Sequence, residues 1–446
     1  MKRGTLRAWI PLVLLVLSIP IATGCASKPR QLMPTPALYQ EPSSVPVFDQ
    51  PLEARSGDTA VDLLYITDRG PETEPESTLP YGQGRAKSIA FGSVEIEIGP
   101  NVSWKDLEQE SRRGQRTRDL NLSVGRVSEL GRFPDEPYAF EVRDGGRYRS
   151  DSDLRQHDIA SALLRADIQR RLERSPTKTV MLYVHGFNET FASSAFTAAE
   201  LCHFLGREPV CAFFTWPAST TGNFLISYTN TTESAGYAED HLRKVIRLIA
   251  TTPGVERVEL LAHSRGTGLL MSVVRNLVNE AVAAGRDPRE ALKINNIVLF
   301  SPDIDVELFA QGITGGISDP DMFSAWPNRR VPGGINGRLT VYSSPKDRAL
   351  MVSRILFRSR NRVGDLRADD VPSDVQAYFE PLDKIDLVIY EGKRTDVFGH
   401  SYFTTNPSVS SDLVQLLRFG KKPGAPGREL VRAGPIAWEF PRQAAK

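Results

Sequence analysis

The sequence predicts an α/β protein built on a doubly wound, mostly parallel sheet with helices on both faces. Two observations carry this. From Thr179 onward, short apolar runs of strand length alternate with longer segments whose apolar residues recur at helical spacing. The runs are also nearly continuously apolar, as strands covered on both faces must be. Right-handed crossovers then distribute the intervening helices to the two sides.

Each element follows in order. VDLLYIT, starting at Val61, has a strand pattern. GPETEPESTLPYG is rich in turn residues, and SIAFGSVEIEIG alternates apolar and polar as a second strand. Residues 101–150 are polar and rich in Gly and Arg, so a decorated loop region is expected there. Asp153 to Glu173 carries Leu154, Ile159, Leu163, Leu164, Ile168 and Leu172 at helical spacing. Six strand–helix units are expected next: TVMLYVHG with Phe191–Leu205, PVCAFFTWP with Ser234–Ala250, and VERVELLAHS with Gly268–Ala284. INNIVLFSPD with a short helix from Val306, RLTVYSS with Ala349–Phe357, and KIDLVIYEG with Ser408–Leu417 complete the series.

The N-terminus reads as an address. Lys2, Arg3 and Arg7 precede an apolar run from Trp9 to Ile21, which is shorter than the ~20 residues a spanning helix needs. Ala22-Thr23-Gly24-Cys25 resembles the lipobox of bacterial lipoproteins, in which the Cys is acylated and becomes the mature N-terminus. By that resemblance residues 1–24 are a signal peptide and Cys25 is the lipidation site. Ala26, which is not Asp, would sort the anchor to the outer membrane, facing the periplasm. Pro29, Pro34, Pro36, Pro42, Pro46 and Pro51 make residues 25–57 a lipidated Cys followed by a semi-extended linker. The folded domain is expected over 58–425, with a C-terminal tail over 426–446. The mature body is slightly acidic, so membrane attachment is expected from the lipid rather than from charge.

Composition narrows the function. Lys plus Arg number 55 and Asp plus Glu 54, so the basic excess of a nucleic-acid binder is missing. The three cysteines form neither a disulfide scaffold nor a CxxC zinc motif. Beyond Cys25 only Cys202 and Cys211 remain: either they pair in an oxidising periplasm or they are two buried free thiols. No HExxH, no EF-hand loop and no GxxxxGK[ST] loop occurs, so no metal or cofactor is implied.

In such sheets, ligands bind beyond the carboxyl ends of the strands. VELLAHSRGTG delivers Ser264 there, between a strand and a helix. Ala262-His263-Ser264-Arg265-Gly266 resembles the G-x-S-x-G nucleophile elbow of α/β-hydrolases, with Ala262 keeping the first position small. VMLYVHGFNETF resembles the loop that supplies an oxyanion-hole amide, so the amides of Phe187 and Arg265 are the expected donors, and His185 a structural residue. RLTVYSSPKDRAL delivers Asp347 and DVFGHSYF delivers His400. The chain order Ser264, Asp347, His400 is that of α/β-hydrolase triads. Asp303 and Asp305, in SPDID, are rival positions for the acid. Trp216–Ser234 and the Gly/Pro-rich stretch Gly312–Gly337 are candidate pocket walls through Phe224, Leu225, Ile226, Tyr228, Met322, Phe323 and Trp326. Arg329 and Arg330 read as solvated surface charge.

LYITDRG, LYVHGFNETF, FTWPAS, AHSRGTG, FSPDIDVELF, VYSSPKDRAL and GHSYF together resemble a bacterial α/β-hydrolase family of unknown function, over roughly residues 60–420. The resemblance implies an esterase- or lipase-like serine hydrolase fold and favours Asp347 over Asp303 as the acid. The expectation is a membrane-anchored enzyme cleaving a small-molecule or lipid carboxylic ester through an acyl-enzyme on Ser264. The alternatives are an acyltransferase using the same triad and a non-catalytic envelope lipoprotein that keeps the fold.

Overall fold

The structure is a computed structural model and describes residues 29–49, 59–75, 77–99, 101–218, 224–318, 321, 333–357 and 361–441. Its first strands are β1 (Val61–Pro71), β2 (Tyr81–Ile98) and β3 (Leu122–Arg132), followed by a separate hairpin of β4 (Phe140–Arg143) and β5 (Gly146–Arg149). Then come β6 (Thr179–Val184), β7 (Val210–Thr215), β8 (Arg257–His263), β9 (Ile294–Phe300), β10 (Leu339–Ser343) and β11 (Ile385–Ile389), and a short terminal pair, β12 (Val431–Arg432) and β13 (Ala437–Glu439). The principal helices are α1 (Asp151–Arg174), α2 (Phe191–Phe204), α3 (Phe224–Ala250), α4 (Arg265–Ala283), α5 (Val306–Ser318), α6 (Arg348–Phe357) and α7 (Pro407–Leu417).

All strands outside the hairpin form one eleven-stranded sheet in the order β12-β13-β11-β10-β9-β8-β6-β7-β1-β2-β3. From β1 to β13 neighbouring strands are parallel; β2, β3 and β12 are antiparallel additions at the edges. Successive side chains of a strand point to opposite faces. In β6, Leu182 enters one core with Leu164, Leu242 and Leu270 of α1, α3 and α4, while Tyr183 enters a second core with Phe204 and Leu413 of α2 and α7. Burial on both faces is the reason these strands are apolar throughout. Because the strands run parallel, β6, β8 and β10 discharge their following residues at one edge.

Three expectations need correction. Residues 29–49 are not a spacer but part of the packed body. Leu32, Met33, Tyr39, Val47 and Phe48 are buried, and Gln31 bridges Asn121. Arg30 pairs with buried Glu200 at 2.7 Å. The prolines restrict φ without preventing apolar side chains from docking, and Arg116 and Arg418 collect the strand-less carbonyls of Leu32, Met33, Pro46 and Val47. Residues 101–150 are not mainly loop: they hold a helix at Trp104–Glu110, β3 and the hairpin. Their sequence is polar because β3 lies at a sheet edge with one face towards solvent. The C-terminal segment is not a tail up to residue 441. Arg428 pairs with Asp412 at 2.8 Å, both buried, and β13 extends the sheet beside β11.

Cys202 at the end of α2 and Cys211 in β7 are joined by a disulfide. The expected signal peptide and Cys25 lie outside the described residues, as do residues 50–58, Met322, Phe323, Trp326, Arg329, Arg330, and the side chains of Phe224, Leu225 and Ile226.

Candidate active site

β8 ends at His263 and α4 begins at Arg265, so Ser264 alone makes the turn, with φ 52° and ψ −125°. Positive φ is costly for a residue with a Cβ and persists only where the surroundings impose it. Here they do. The Ser264 amide donates to Phe300 O at 2.9 Å, and its carbonyl accepts from Thr267 N at 3.1 Å and Asp303 N at 3.3 Å. Two glycines let the chain cross so tightly. A Cβ on Gly266 would stand 2.2 Å from His185 O, and one on Gly186 would stand 2.6 Å from Ser264 Cβ and 2.9 Å from His263 O. The 185–187 loop therefore lies directly on the serine, and Arg265 opens the helix after it.

Asp347 follows β10 and begins α6. Its Oδ1 accepts from the amides of Ala349 at 3.0 Å and Leu350 at 3.1 Å, while its Oδ2 lies 2.6 Å from His400 Nδ1. One carboxylate thus caps a helix and orients an imidazole. A carboxylate only accepts, so Nδ1 carries the hydrogen and Nε2 is left with its lone pair. The His400 main chain is fixed as well. Asp396 accepts from the amides of Phe398, Gly399, His400 and Ser401. His400 O accepts from Ser301 Oγ at 3.0 Å and from His263 Nε2 at 3.3 Å. The His400 ring centroid is 4.7 Å from that of His263, the residue before the serine. Among the described residues Ser264 Oγ makes no hydrogen bond to His400, a contact that commonly closes only when substrate is bound. Burial pulls the His400 pKa down. The charge and hydrogen bond of Asp347 outweigh it, and the net direction is above the usual imidazole value.

The rival acids are otherwise engaged. Asp303 is buried against Arg362, with Nε 3.3 Å away, and accepts from Ser353 Oγ at 2.6 Å and from Tyr228 OH. Asp305 caps α5 through the amides of Glu307 and Leu308. His185 is enclosed. Trp216 N donates to its Nε2 at 3.0 Å, so Nδ1–H faces Gly186 O at 2.8 Å. Burial, then Arg69, hold its pKa well below the usual value, so it is neutral.

Sequence reasoning missed three residues around this centre. Arg69, fully buried, donates to Thr215 Oγ1 at 2.7 Å, Gly82 O at 3.1 Å and Glu189 O at 2.7 Å, clamping the loop that carries Phe187. Its signal was an arginine at the end of an apolar strand, in LYITDRG. His263 holds the His400 carbonyl, and Arg362 neutralises Asp303; nothing local in the sequence marks these two. Of the wall residues, Tyr228 is spent on Asp303 and packs edge-on against Phe187 at 5.2 Å. A cavity of about 390 Å³ opens beside the first turn of α4, bounded by α3 and α5. Among the described residues no cluster of three or more His, Cys, Asp or Glu is arranged to hold a metal ion, and no helix is long and apolar enough to cross a membrane.

The parallel sheet, the strained serine elbow and the order in which the chain delivers its side chains define an α/β hydrolase. The chain belongs to the family described as alpha/beta hydrolase of unknown function (DUF900), whose model matches residues 160–418. No curated protein matches it. Among solved structures it resembles phospholipase PlaB from Legionella pneumophila in complex with thio-NAD, at 12% identity and a TM-score of 0.21, over 37% of this chain and 38% of that one. It also resembles ESTFA in an Fe-lacking apo form, at 13% identity and a TM-score of 0.20, over 42% of this chain and 64% of that one. The chain thus spans less than two thirds of either, and likeness at these TM-scores carries no argument.

Proposed function

We propose that this protein is a serine hydrolase that cleaves a carboxylic ester, anchored in a bacterial envelope by a lipid on Cys25. In this reading Ser264 Oγ attacks the ester carbonyl as His400 Nε2 takes its proton. The tetrahedral oxyanion is met by the amides of Phe187 and Arg265, each donor lowering the barrier by about 3 kcal/mol. His400 returns the proton to the departing alcohol, leaving an acyl-enzyme. Water, deprotonated by the same nitrogen, then releases the acid. Asp347 keeps Nδ1 protonated and stabilises the transient imidazolium.

The observation that supports this most is the 2.6 Å contact between His400 Nδ1 and Asp347 Oδ2, in a loop whose carbonyl is held by the residue preceding a serine at φ 52°. The test is turnover of short aryl esters by the purified chain and by Ser264→Ala. The substitution should abolish hydrolysis while circular dichroism and melting stay as in the parent. Equal turnover by both would remove the mechanism.

A further inference from the structure

The cavity beside the elbow is lined by three arginines, Arg265, Arg275 and Arg362, and three acids, Glu239, Asp303 and Asp305. Its apolar lining is Leu269 and Met271 of α4, Ile304, and Leu308 and Phe309 of α5. Of the acids, Asp303 pairs with Arg362, while Asp305 accepts from amides at the start of α5 and Glu239 from Ser272 Oγ at 2.9 Å. Among the described residues neither Arg265 nor Arg275 has a carboxylate within ion-pair distance.

Arg265 is the more telling. Its guanidinium is half-buried and lies 5.1 Å from the ring centroid of Tyr228 and 5.2 Å from that of Phe357. Arg362 crowds the same Phe357 ring at 4.8 Å. Its hydrogen-bond partner is a hydroxyl, Thr232 Oγ1. Burial, then the Arg362 charge, pull its pKa down to about 10, so it is still a cation at neutral pH. A desolvated cation with aromatic and hydroxyl neighbours but no counter-charge is held at a cost that an incoming anion relieves. Arg275 lies ten residues further along α4, about 15 Å at 1.5 Å per residue, and is exposed at the cavity's far end. The cavity therefore follows the helix axis, from the side chain of Arg265, the residue after Ser264, past an apolar wall, to solvent; Ser264 itself is not among the residues that line it.

We propose that this cavity binds an anionic amphiphile: an ester substrate whose apolar chain lies along α4 and whose carboxylate or phosphate meets the Arg265 guanidinium. The site stands on the cavity and the unpaired cation; that its occupant is a substrate rests on the hydrolase reading. Binding and turnover are therefore measured separately.

The full chain carrying Ser264→Ala is titrated calorimetrically with octyl phosphate, octanoate and 1-octanol, below micelle formation, and with inorganic phosphate. The octyl anions should bind at least tenfold more tightly than octanol and than inorganic phosphate. Whichever of octyl phosphate and octanoate binds better identifies the acidic group. Adding Arg265→Gln should cost the anions about tenfold, a typical loss for a charge-assisted hydrogen bond, and leave octanol little changed. Gly268→Leu should weaken every octyl ligand, because a Cβ there has only Ile304 Cγ1 at 3.7 Å and its side chain grows into the cavity. Octanol binding as tightly as octyl phosphate, or anion binding indifferent to both substitutions, would overturn the proposal. Arg265-dependent anion binding with a Ser264 that never reacts would keep the pocket and remove the hydrolase. A reactive Ser264 with no such binding would do the reverse.

Discussion

At His400 two opposing electrostatic influences meet. Burial disfavours its charged form, Asp347 favours it, and Asp347 prevails. As the proposed base, His400 works only when neutral. A raised pKa therefore places the acid limb of kcat/KM above the ordinary ~6.5 of a histidine: activity rises as pH climbs through that midpoint and is lost below it. Asp347→Asn removes the charge that raises the midpoint, so the limb moves to lower pH. It also disturbs the tautomer, at a cost on the order of 10⁴ in kcat. Asp303→Asn instead breaks a pair with Arg362, 3.3 Å away, and should lower stability far more than turnover. A pH–rate series on the three proteins checks both statements, and the reverse ranking would reassign the acid. Ser264, Asp347 and His400 stood out as candidates in the sequence because each follows a strand pattern, Ser264 directly and the other two in the loops beyond β10 and β11. The partners that commit Asp303 could not: Tyr228, Ser353 and Arg362 come from three separate segments that only the fold brings together.

At the scale of elements, the centre depends on how closely the 185–187 loop and the start of α4 approach. Gly266→Ala would place a Cβ 2.2 Å from His185 O, a backbone atom that cannot step aside. The expected outcome is a loss of about 1–3 kcal/mol in denaturant unfolding, together with loss of ester turnover as the helix is pushed off the loop. Parent-like stability and rate would mean that the approach is looser than described. A second tie is the Cys202–Cys211 disulfide between α2 and β7. Replacing both cysteines by serine should cost about 2–3 kcal/mol, as expected for a short closed loop. The parallel strands were legible because burial on both faces writes itself as unbroken apolar runs. Residues 29–49 and β3 were not, because their few buried side chains, such as Leu32, Tyr39 and Leu122, are scattered among prolines and charges.

The whole molecule combines a body with apolar cores on both faces of its sheet and an N-terminal segment whose sequence resembles a lipoprotein signal. In the proposed arrangement the lipid on Cys25 alone holds the protein at a membrane, since the chain without residues 1–24 is slightly acidic, with Lys2, Arg3 and Arg7 removed from 55 basic residues against 54 acidic ones. Cys25→Ser should therefore move the protein from the membrane fraction to the soluble fraction; sedimentation unchanged by the substitution would count against the anchor. Because residues 29–49 pack against α2 and α7, the proposed tether would be confined to the residues before Pro29. That short tether would suit the amphiphilic esters proposed for the cavity. All of this depends on Ser264 being a nucleophile. The most direct measurement is reaction of the intact chain with a fluorophosphonate probe, followed by peptide mapping. One adduct is expected, on Ser264, formed quickly by the parent and at a strongly reduced rate by His400→Ala. No adduct, an adduct on another residue, or labelling indifferent to His400 would contradict it.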